Sequence, residues 1–198
     1  DVDSYIKLIH FHLKNGTNGL VPAGTTGESP TLNHKEHEKV IELCIQEAKG
    51  KIPVIAGTGS NSTEEAISLT RHAEKAGADG VLVVTPYYNK PTQEGLYQHY
   101  KAINDNTSLP IIIYNIPSRC VIDMSVDTMS KLFELKNIAG VKDATGDLNR
   151  LDQTIKKLGP EFIQLTGEDG LAFEFNKRGG VGIISVTANI APKLCSDM

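Results

Sequence analysis

The chain contains 198 residues and carries a formal net charge of −4 at pH 7, with acidic and basic side chains interspersed. This length is sufficient for one domain with a substantial core, so a single domain over residues 1–198 is expected. The lack of a basic block argues against nucleic acid as a partner. The longest apolar runs, such as Ile111–Ile113, are too short to cross a membrane.

Short apolar runs rich in β-branched residues alternate with amphipathic stretches along the whole chain. The predicted helices cover residues 3–15, 33–49, 63–77, 93–105, 125–134, 147–158 and 170–177. The predicted strands cover residues 19–23, 53–56, 80–84, 110–114, 138–141, 162–166 and 181–186. Asn33, with Glu36 three residues later, predicts a capping box, and Asp147 predicts a second helix cap.

Seven such units predict an α/β protein with a parallel sheet covered on both faces. A doubly wound sheet usually carries a Gly-x-Gly-x-x-Gly fingerprint after its first strand, and none is present. A (β/α)₈ TIM barrel is therefore favoured. Because the chain opens in a helix with no strand before it, we expect the first barrel strand to be missing. Both ends are expected to be cut.

Lys142 lies at or near the end of the predicted strand 138–141, immediately before a turn. Lysine is almost never fully buried without a partner, and burial disfavours its charged form. Two interpretations follow. Lys142 is either held in an ion pair or is a nucleophile whose amine has been made available by a lowered pKa.

Four loops that follow predicted strands carry groups able to do chemistry or recognition, and a barrel brings such loops to one mouth. These groups are Thr25 with Thr26, Tyr87 with Tyr88, Tyr114 with Arg119, and Lys142. The threonine turn fits a carboxylate or phosphate, or is a hydroxyl-capped glycine turn. Tyr114 is either a core aromatic or a proton relay beside lysine. Arg119 is a carboxylate or phosphate clamp, or a surface arginine.

The histidines and cysteines predict no metal site. His34 and His37 are three residues apart at a helix start, without a third ligand at suitable spacing, and are interpreted from position alone as solvated helix surface. Cys44, Cys120 and Cys195 form no Cys-x-x-Cys pattern, which argues against a disulfide framework and favours the reducing cytoplasm.

Five segments closely resemble the dihydrodipicolinate synthase family. They are GTTGES at 24–29, VTPYYNKP at 84–91, YNIPSR at 114–119, GVKDATGD at 140–147 and ISVTAN at 184–189. The resemblance covers the chain in order and omits the family's first barrel strand and C-terminal helical segment. It implies a class I, Schiff-base lyase that condenses pyruvate with L-aspartate 4-semialdehyde in lysine biosynthesis through the diaminopimelate pathway. No separate cofactor is implied, because the pyruvate imine forms on the protein.

The resemblance also implies roles for individual residues. Lys142 matches the Schiff-base lysine, and Tyr114 matches the tyrosine that moves protons at the imine. Thr25 matches the threonine that links Tyr114 to a second tyrosine. Tyr88 matches that second tyrosine, which family members contribute across a subunit contact. A dimer is therefore expected to be required, and the family usually forms a dimer of dimers.

Substrate-binding residues follow from the same matches. Thr26 matches a residue that holds the pyruvate carboxylate, and Arg119 matches the arginine that receives the semialdehyde carboxylate. Gly167 and Ile184 match backbone positions that line the pocket.

Family members inhibited by lysine bind it at the tight dimer interface. The matching positions here are Ser29, Pro30, His34, His37, Asn61, Glu65 and Tyr87. A carboxylate and imidazoles suit a ligand with two ammonium groups and one carboxylate. Pro30 replaces an expected alanine and lacks an N–H group. Feedback inhibition by lysine is therefore a hypothesis.

Three alternatives remain open. N-acetylneuraminate lyase and the 2-keto-3-deoxy sugar acid aldolases share the lysine, the tyrosine and the Schiff base, but differ in the acceptor. Arg119 and the Thr25–Thr26 pair favour the semialdehyde over a sugar chain. A non-catalytic barrel is disfavoured by the complete set of Lys142, Tyr114, Thr25 and Tyr88. The third alternative is a truncated barrel that is inactive because it lacks its first strand.

Overall fold

The computed structural model describes residues 1–198 and consists of helices alternating with parallel strands. The strands are β1 (Ile55–Gly57), β2 (Gly80–Val84), β3 (Ile111–Asn115), β4 (Ile138–Asp143), β5 (Ile163–Thr166) and β6 (Gly182–Ile183). The helices are α1 (Val2–Lys14), α2 (His34–Ala48), α3 (Thr63–Ala76), α4 (Gln93–Asn104), α5 (Pro117–Cys120), α6 (Val126–Phe133), α7 (Leu148–Leu158), α8 (Ala172–Lys177) and α9 (Pro192–Asp197). Short 3₁₀ turns cover Ser29–Thr31, Asp169–Leu171 and Thr187–Asn189.

Local sequence signals explain where most helices begin. At α2, the Asn33 side chain accepts from the Glu36 N–H group at 3.0 Å, and the Glu36 carboxylate accepts from the Asn33 N–H group at 3.0 Å. The predicted capping box is confirmed. Asp147 caps α7 through the N–H group of Asn149 at 2.9 Å, as predicted. Each cap satisfies N–H groups that the first helical turn leaves without partners.

The six strands form one sheet in the sequential order β1-β2-β3-β4-β5-β6, and all neighbours are parallel. A doubly wound sheet reverses its strand order part-way across, so the sequential order confirms the barrel-type topology.

The sheet is strongly curled. The segment after α1 borders β1 at one edge, and α9 follows β6 at the other. In a flat sheet of seven strand positions these edges would stand roughly 29 Å apart. The hydroxyl of Ser196 instead donates to the carbonyl of Asn15 at 3.1 Å, and His12 Nε2 lies 3.4 Å from Asn189 Oδ1. The two ends of the sheet therefore curve toward one another as a partial barrel.

Strand alternation separates two apolar layers. One layer, between the sheet and the helices, includes Val81 and Ile113 from strands and Ile41, Leu96 and Leu132 from helices, all fully buried. The other face turns toward the barrel axis and is covered by a smaller cluster that includes Leu82, Ile112 and Tyr114. Burial on both faces explains why the strands are nearly continuous apolar runs.

The first predicted strand, 19–23, is reduced to a single parallel bridge between Leu20 and Val54. Three backbone hydrogen bonds still hold it beside β1, from Leu20, Ile55 and Gly57 N–H groups. The strand does not continue because Pro22 lacks an N–H group and Ala23 turns the chain at φ 54°.

The last predicted elements also differ. The strand predicted over 181–186 is only Gly182–Ile183, because Val186 already has helical dihedral angles. The helix predicted over 170–177 is a 3₁₀ turn followed by α8. Two short helices, α5 and α9, were not predicted, and each begins at a proline, a residue that is tolerated at the first position of a helix.

No helix is both long enough and apolar enough to cross a membrane.

Candidate active site

Lys142 is the penultimate residue of β4 and faces the barrel axis. Strand register sets it beside Tyr114 of β3 on one side and Leu165 of β5 on the other. The residue is 9% exposed, and no carboxylate lies within 4 Å of its ammonium among the ion pairs of the chain. The ion-pair interpretation of Lys142 is therefore wrong, and its role as a nucleophile stays a prediction.

Burial makes the amine of Lys142 unusually available. It lowers the pKa of Lys142 from 10.5 to about 8, although the carboxylates of Asp169 and Glu168 act in the opposite direction. At a pKa of 8, roughly one side chain in ten carries a free amine at pH 7, against fewer than about one in a thousand at 10.5. A buried lysine with a free amine is suited to attack a carbonyl carbon.

Tyr114 lies close to this amine. Lys142 Nζ lies 4.1 Å from the centroid of the Tyr114 ring, so the ring face provides the favourable contact that a carboxylate does not. Burial raises the pKa of the Tyr114 phenol, while the nearby Thr25 hydroxyl and Arg119 guanidinium oppose the rise. The phenol therefore remains protonated at neutral pH and is able to donate a proton beside the lysine.

Gly167 is required by the close approach of Lys142. A Cβ atom at residue 167 would lie 2.9 Å from Cε of Lys142 and 2.9 Å from Cβ of Ala144. The N–H group of Gly167 donates to the carbonyl of Asp143 at 2.8 Å, which fixes the loop after β5 against the end of β4. Ile184 lies across the same rim, with its N–H group donating to Thr166 at 3.0 Å. Gly167 therefore borders the lysine, and Ile184 packs against the apolar cluster that contains Tyr114.

Thr25 and Thr26 lie on an exposed turn between the Leu20 bridge and the 3₁₀ turn Ser29–Thr31. The N–H group of Glu28 donates to the carbonyl of Thr25 at 3.0 Å and closes the turn. The Thr25 hydroxyl lies near enough to the Tyr114 phenol to oppose the rise of its pKa. Thr26 lies beside it on the same turn.

Arg119 lies on α5, exposed and without an ion-pair partner. Asn115, at the end of β3, fixes the base of this segment. Its side chain donates to Asp123 at 2.8 Å and accepts from the N–H group of Met124 at 3.0 Å. Arg119 is thus held close enough to Tyr114 to affect its pKa, with its guanidinium free to bind an anion.

Tyr88 is not brought to the lysine within one chain. It is 88% exposed and adopts a positive φ of 71°, which is uncommon for tyrosine. Neighbouring Tyr87 is half-buried against the cluster that contains Tyr114. The role of Tyr88 across a subunit contact stays a prediction.

Glu65 is the centre of the positions matched to a lysine-binding site. Its carboxylate bonds the Ser60 hydroxyl, and His34 Nε2 lies 2.8 Å from its other oxygen. The Ser60 and His34 hydrogen bonds lower the pKa of Glu65. The side chain therefore stays ionised and half-exposed, available to an ammonium group.

His37 departs from the prediction of a solvated surface. It is 3% exposed, and neither ring nitrogen has a hydrogen-bond partner. Burial lowers its pKa. The prediction is wrong because His37 lies on the face of α2 that packs inward, one turn after the exposed His34. The backbone of Gly57 lies near the ring and opposes the fall of the His37 pKa.

The remaining matched positions surround this group on adjoining loops. Asn61 precedes α3, and its carbonyl accepts from the Asn89 side chain at 3.1 Å. Ser29 and Pro30 open the 3₁₀ turn that continues the threonine turn. The same loop thus connects the positions matched to lysine binding with Thr25, which lies beside Tyr114.

Two polar residues of the rim were not predicted. Asp169 and Ser185 bond one another across the loops after β5 and β6. The available signal was an acidic pair, Glu168–Asp169, directly after a strand, where barrel proteins place functional groups. No group of three or more His, Cys, Asp or Glu side chains is arranged to hold a metal ion.

The family model described as the Dihydrodipicolinate synthetase family matches residues 1–198. The chain belongs to this family. It is 77% identical over 197 residues to a 4-hydroxy-tetrahydrodipicolinate synthase from Pelagibacter ubique, covering 100% of this chain and 67% of that protein. The chain therefore spans about two thirds of the length of the Pelagibacter ubique protein.

Solved structures of the family agree with the fold. The chloride-inhibited dihydrodipicolinate synthase from Acinetobacter baumannii, crystallised with pyruvate, matches with a TM-score of 0.98 at 53% identity, over 100% of this chain and 68% of that chain. The enzyme from Cyanidioschyzon merolae, crystallised with lysine bound, matches with a TM-score of 0.96 at 38% identity, over 100% and 67%. The predicted family resemblance is confirmed.

Proposed function

We propose that this chain carries the catalytic residues of a 4-hydroxy-tetrahydrodipicolinate synthase, which condenses pyruvate with L-aspartate 4-semialdehyde. The observation that carries the proposal is Lys142. It is a buried lysine without an ion pair, with a pKa lowered to about 8, 4.1 Å from the ring centroid of a protonated tyrosine. Membership of the dihydrodipicolinate synthase family supplies the substrates.

The first half of the reaction uses the free amine of Lys142. The amine attacks the ketone carbon of pyruvate, and the carbinolamine loses one water to give an imine. Tyr114 is placed to protonate the departing hydroxyl and to take protons back. The protonated imine draws electrons from the neighbouring methyl group, which loses a proton and becomes an enamine carbon nucleophile. Because the protonated imine accepts the electron pair left by the departing methyl proton, the reaction needs no separate cofactor.

The second half joins the two substrates. The enamine carbon bonds to the aldehyde carbon of the semialdehyde, whose oxygen takes a proton. The amino group of the same substrate then attacks the imine carbon and displaces the lysine amine, which closes the ring and releases Lys142 unchanged. One water is released for each product formed.

Arg119 supports the semialdehyde over a sugar acceptor. Its guanidinium has no ion-pair partner and lies at the mouth on α5, where the carboxylate of an incoming amino acid would be paired. A polyhydroxy acceptor of the N-acetylneuraminate lyase type presents hydroxyl groups instead. This proposal would fail if Arg119→Ala left turnover with aspartate semialdehyde unchanged.

The decisive experiment is borohydride reduction with and without pyruvate, followed by peptide mass mapping. We expect a pyruvate-dependent adduct on the peptide that contains Lys142, absent from Lys142→Met and present in the matched control Lys136→Met. No adduct in a wild-type chain that circular dichroism shows to be folded would overturn the proposal. Adducts on several lysines would show unspecific chemistry and would also overturn it.

We also propose that lysine inhibits the enzyme and that the working form is a dimer of dimers. The ionised Glu65 with His34, and the solved lysine complex of a relative, support the first part. The exposed Tyr88 ring supports the second. Glu65→Gln should weaken inhibition by lysine, whereas Glu64→Gln on the same helix should not. Full activity with millimolar lysine would exclude the regulatory part, and an active monomer in sedimentation would exclude the assembly.

The proposed location is the cytoplasm. Cys44 and Cys120 are buried and Cys195 is half-buried, and all three thiols are free. Unpaired thiols suit a reducing compartment. Fractionation of cells would test this proposal.

A further inference from the structure

Asp169 joins two loops at the rim of the candidate active site. One carboxylate oxygen accepts from the Ser185 hydroxyl. The other accepts from the N–H groups of Val186 at 3.1 Å and Thr187 at 3.4 Å. Neither of these N–H groups has a backbone acceptor. The half-buried Asp169 is therefore their only hydrogen-bond partner.

The loop after β6 has little else to hold it. β6 contains only Gly182 and Ile183, and its pairing with β5 ends there. The last backbone contact with β5 is the bond from Ile184 N–H to Thr166. Ile184 packs against the cluster that contains Tyr114, but Val186 is 52% exposed, so side-chain packing does not anchor the chain beyond Ile184 in the same way.

The same carboxylate lies close to the nucleophile. Asp169 comes two residues after Gly167, the residue that leaves room for Cε of Lys142. Three ionisable groups face the amine from the elements packed around it: Tyr114 on β3, and Glu168 and Asp169 after β5. Of the two carboxylates, Asp169 contributes more to raising the pKa of Lys142. Although burial opposes it, the hydrogen bonds from Ser185, Val186 and Thr187 lower the pKa of Asp169 and keep it ionised.

We propose that Asp169 is a positioning residue that fastens the loop after β6 to the loop after β5, and so fixes the Ile184–Thr187 backbone beside Lys142. We call the hydrogen bonds that Asp169 accepts from Ser185, Val186 and Thr187 the clamp. Its catalytic consequence rests on the proposed function, but the clamp itself is a property of the fold. A substrate bound at this rim would meet a backbone segment that is already ordered, which reduces the entropy lost on binding.

Three substitutions separate the clamp from the charge. Asp169→Ala removes both. Asp169→Asn removes the charge. It keeps a carbonyl oxygen that can accept from the two N–H groups, and its amide NH2 group can donate to the Ser185 oxygen. Ser185→Ala keeps the charge and removes one arm of the clamp. Asp105→Asn, an exposed aspartate paired with Lys101 on α4, is the matched control.

Amide hydrogen exchange at Val186 and Thr187 measures whether the clamp is intact and requires no catalytic activity. We expect exchange at Val186 and Thr187 to become about tenfold faster in Asp169→Ala, since charge-assisted hydrogen bonds are lost. Ser185→Ala should show a smaller increase, Asp169→Asn should be partly restored, and the control should match wild type. Exchange in Asp169→Ala equal to wild type would overturn the proposal. If that variant does not fold, unchanged exchange at the same two amides in Ser185→Ala would overturn it.

Pyruvate trapping then separates positioning from electrostatics. Loss of the charge alone lowers the pKa of Lys142 further, so it shifts the pH profile of trapping to lower pH and increases the free amine at pH 7. Loss of the clamp should instead raise the pyruvate concentration needed for half-maximal trapping, in Asp169→Ala more than in Asp169→Asn. Equal pyruvate dependence in these two variants would overturn the positioning role. No trapping by wild type would overturn the proposed function, while the exchange measurement would still decide the clamp.

Discussion

The burial of Lys142 predicts a pH-dependent stability difference that is measurable without any substrate. The lysine ammonium is stabilised by water in the unfolded chain and is largely deprived of water in the folded one. The pKa falls from 10.5 in the unfolded state to about 8 in the folded state. At roughly 1.4 kcal/mol for each pH unit, this interval corresponds to about 3 kcal/mol. The charged side chain therefore destabilises the fold by about that amount at neutral pH.

The sign of the effect follows from proton binding. Between pH 8 and 10.5 the unfolded chain holds the Lys142 proton while the folded chain has released it, so stability rises with pH across this window. Below pH 8 both states are protonated and the full cost is present. Replacement of Lys142 by methionine, which has similar length and no charge, removes the cost.

Urea unfolding at several pH values would measure this directly. We expect Lys142→Met to be more stable than wild type by up to about 3 kcal/mol at pH 7, with the difference shrinking steadily from pH 8 to 10.5. Comparing variant with wild type at each pH cancels the titration of all other groups. Lys136→Met, an exposed lysine on the segment before β4, should show a small difference with no such pH trend. A difference for Lys142→Met that does not vary between pH 7 and 10.5 would show that folding does not lower the pKa of Lys142.

Three further substitutions test the site. Tyr114→Phe keeps the ring under the amine but removes the proton donor, so imine trapping should slow by about 10²-fold or more; an unchanged trapping rate would contradict the relay. Gly167→Ala places a Cβ atom 2.9 Å from Lys142 Cε, so it should displace the lysine and cut trapping strongly, while Gly170→Ala, where no atom lies within 4 Å, serves as the control. Equal trapping in the two glycine variants would show that the close contact does not matter. Arg119→Ala should leave pyruvate trapping intact and lower turnover with aspartate semialdehyde by about tenfold or more, because a charge-assisted pair is lost. An equal loss in both assays would show that Arg119 acts on the whole site.

Predictions from local signals agreed closely with the structure. The capping box at Asn33 and the cap at Asp147 involve groups within three residues of each other, so the sequence alone contains both partners. The strand that ends near Lys142 was recognisable from one continuous apolar run. The same run also placed the lysine at the carboxyl end of that strand, which is the side of the sheet where the barrel topology brings reactive groups together.

Errors occurred where the outcome depends on distant neighbours. The segment 19–23 has strand composition, but only β1 pairs with it, and Pro22 interrupts the ladder. His37 has the position of a surface histidine in a helix start, yet the packing of α2 buries it. Pro22 is a local signal that the strand prediction did not weigh, whereas the burial of His37 depends on packing with residues distant in sequence.

The alternation of helices and strands, the helix caps and the set of reactive residues that resembles the family were all predictable before folding was considered. These features follow from backbone preferences and from residue types, which act over a few positions. Two features became apparent only in the folded chain: Lys142 lies against Tyr114 with no carboxylate within 4 Å, and Asp169 binds Ser185 sixteen residues away. The pKa of a buried amine and the partner of a half-buried carboxylate depend on which strands the curled sheet sets side by side, and local sequence does not contain that information.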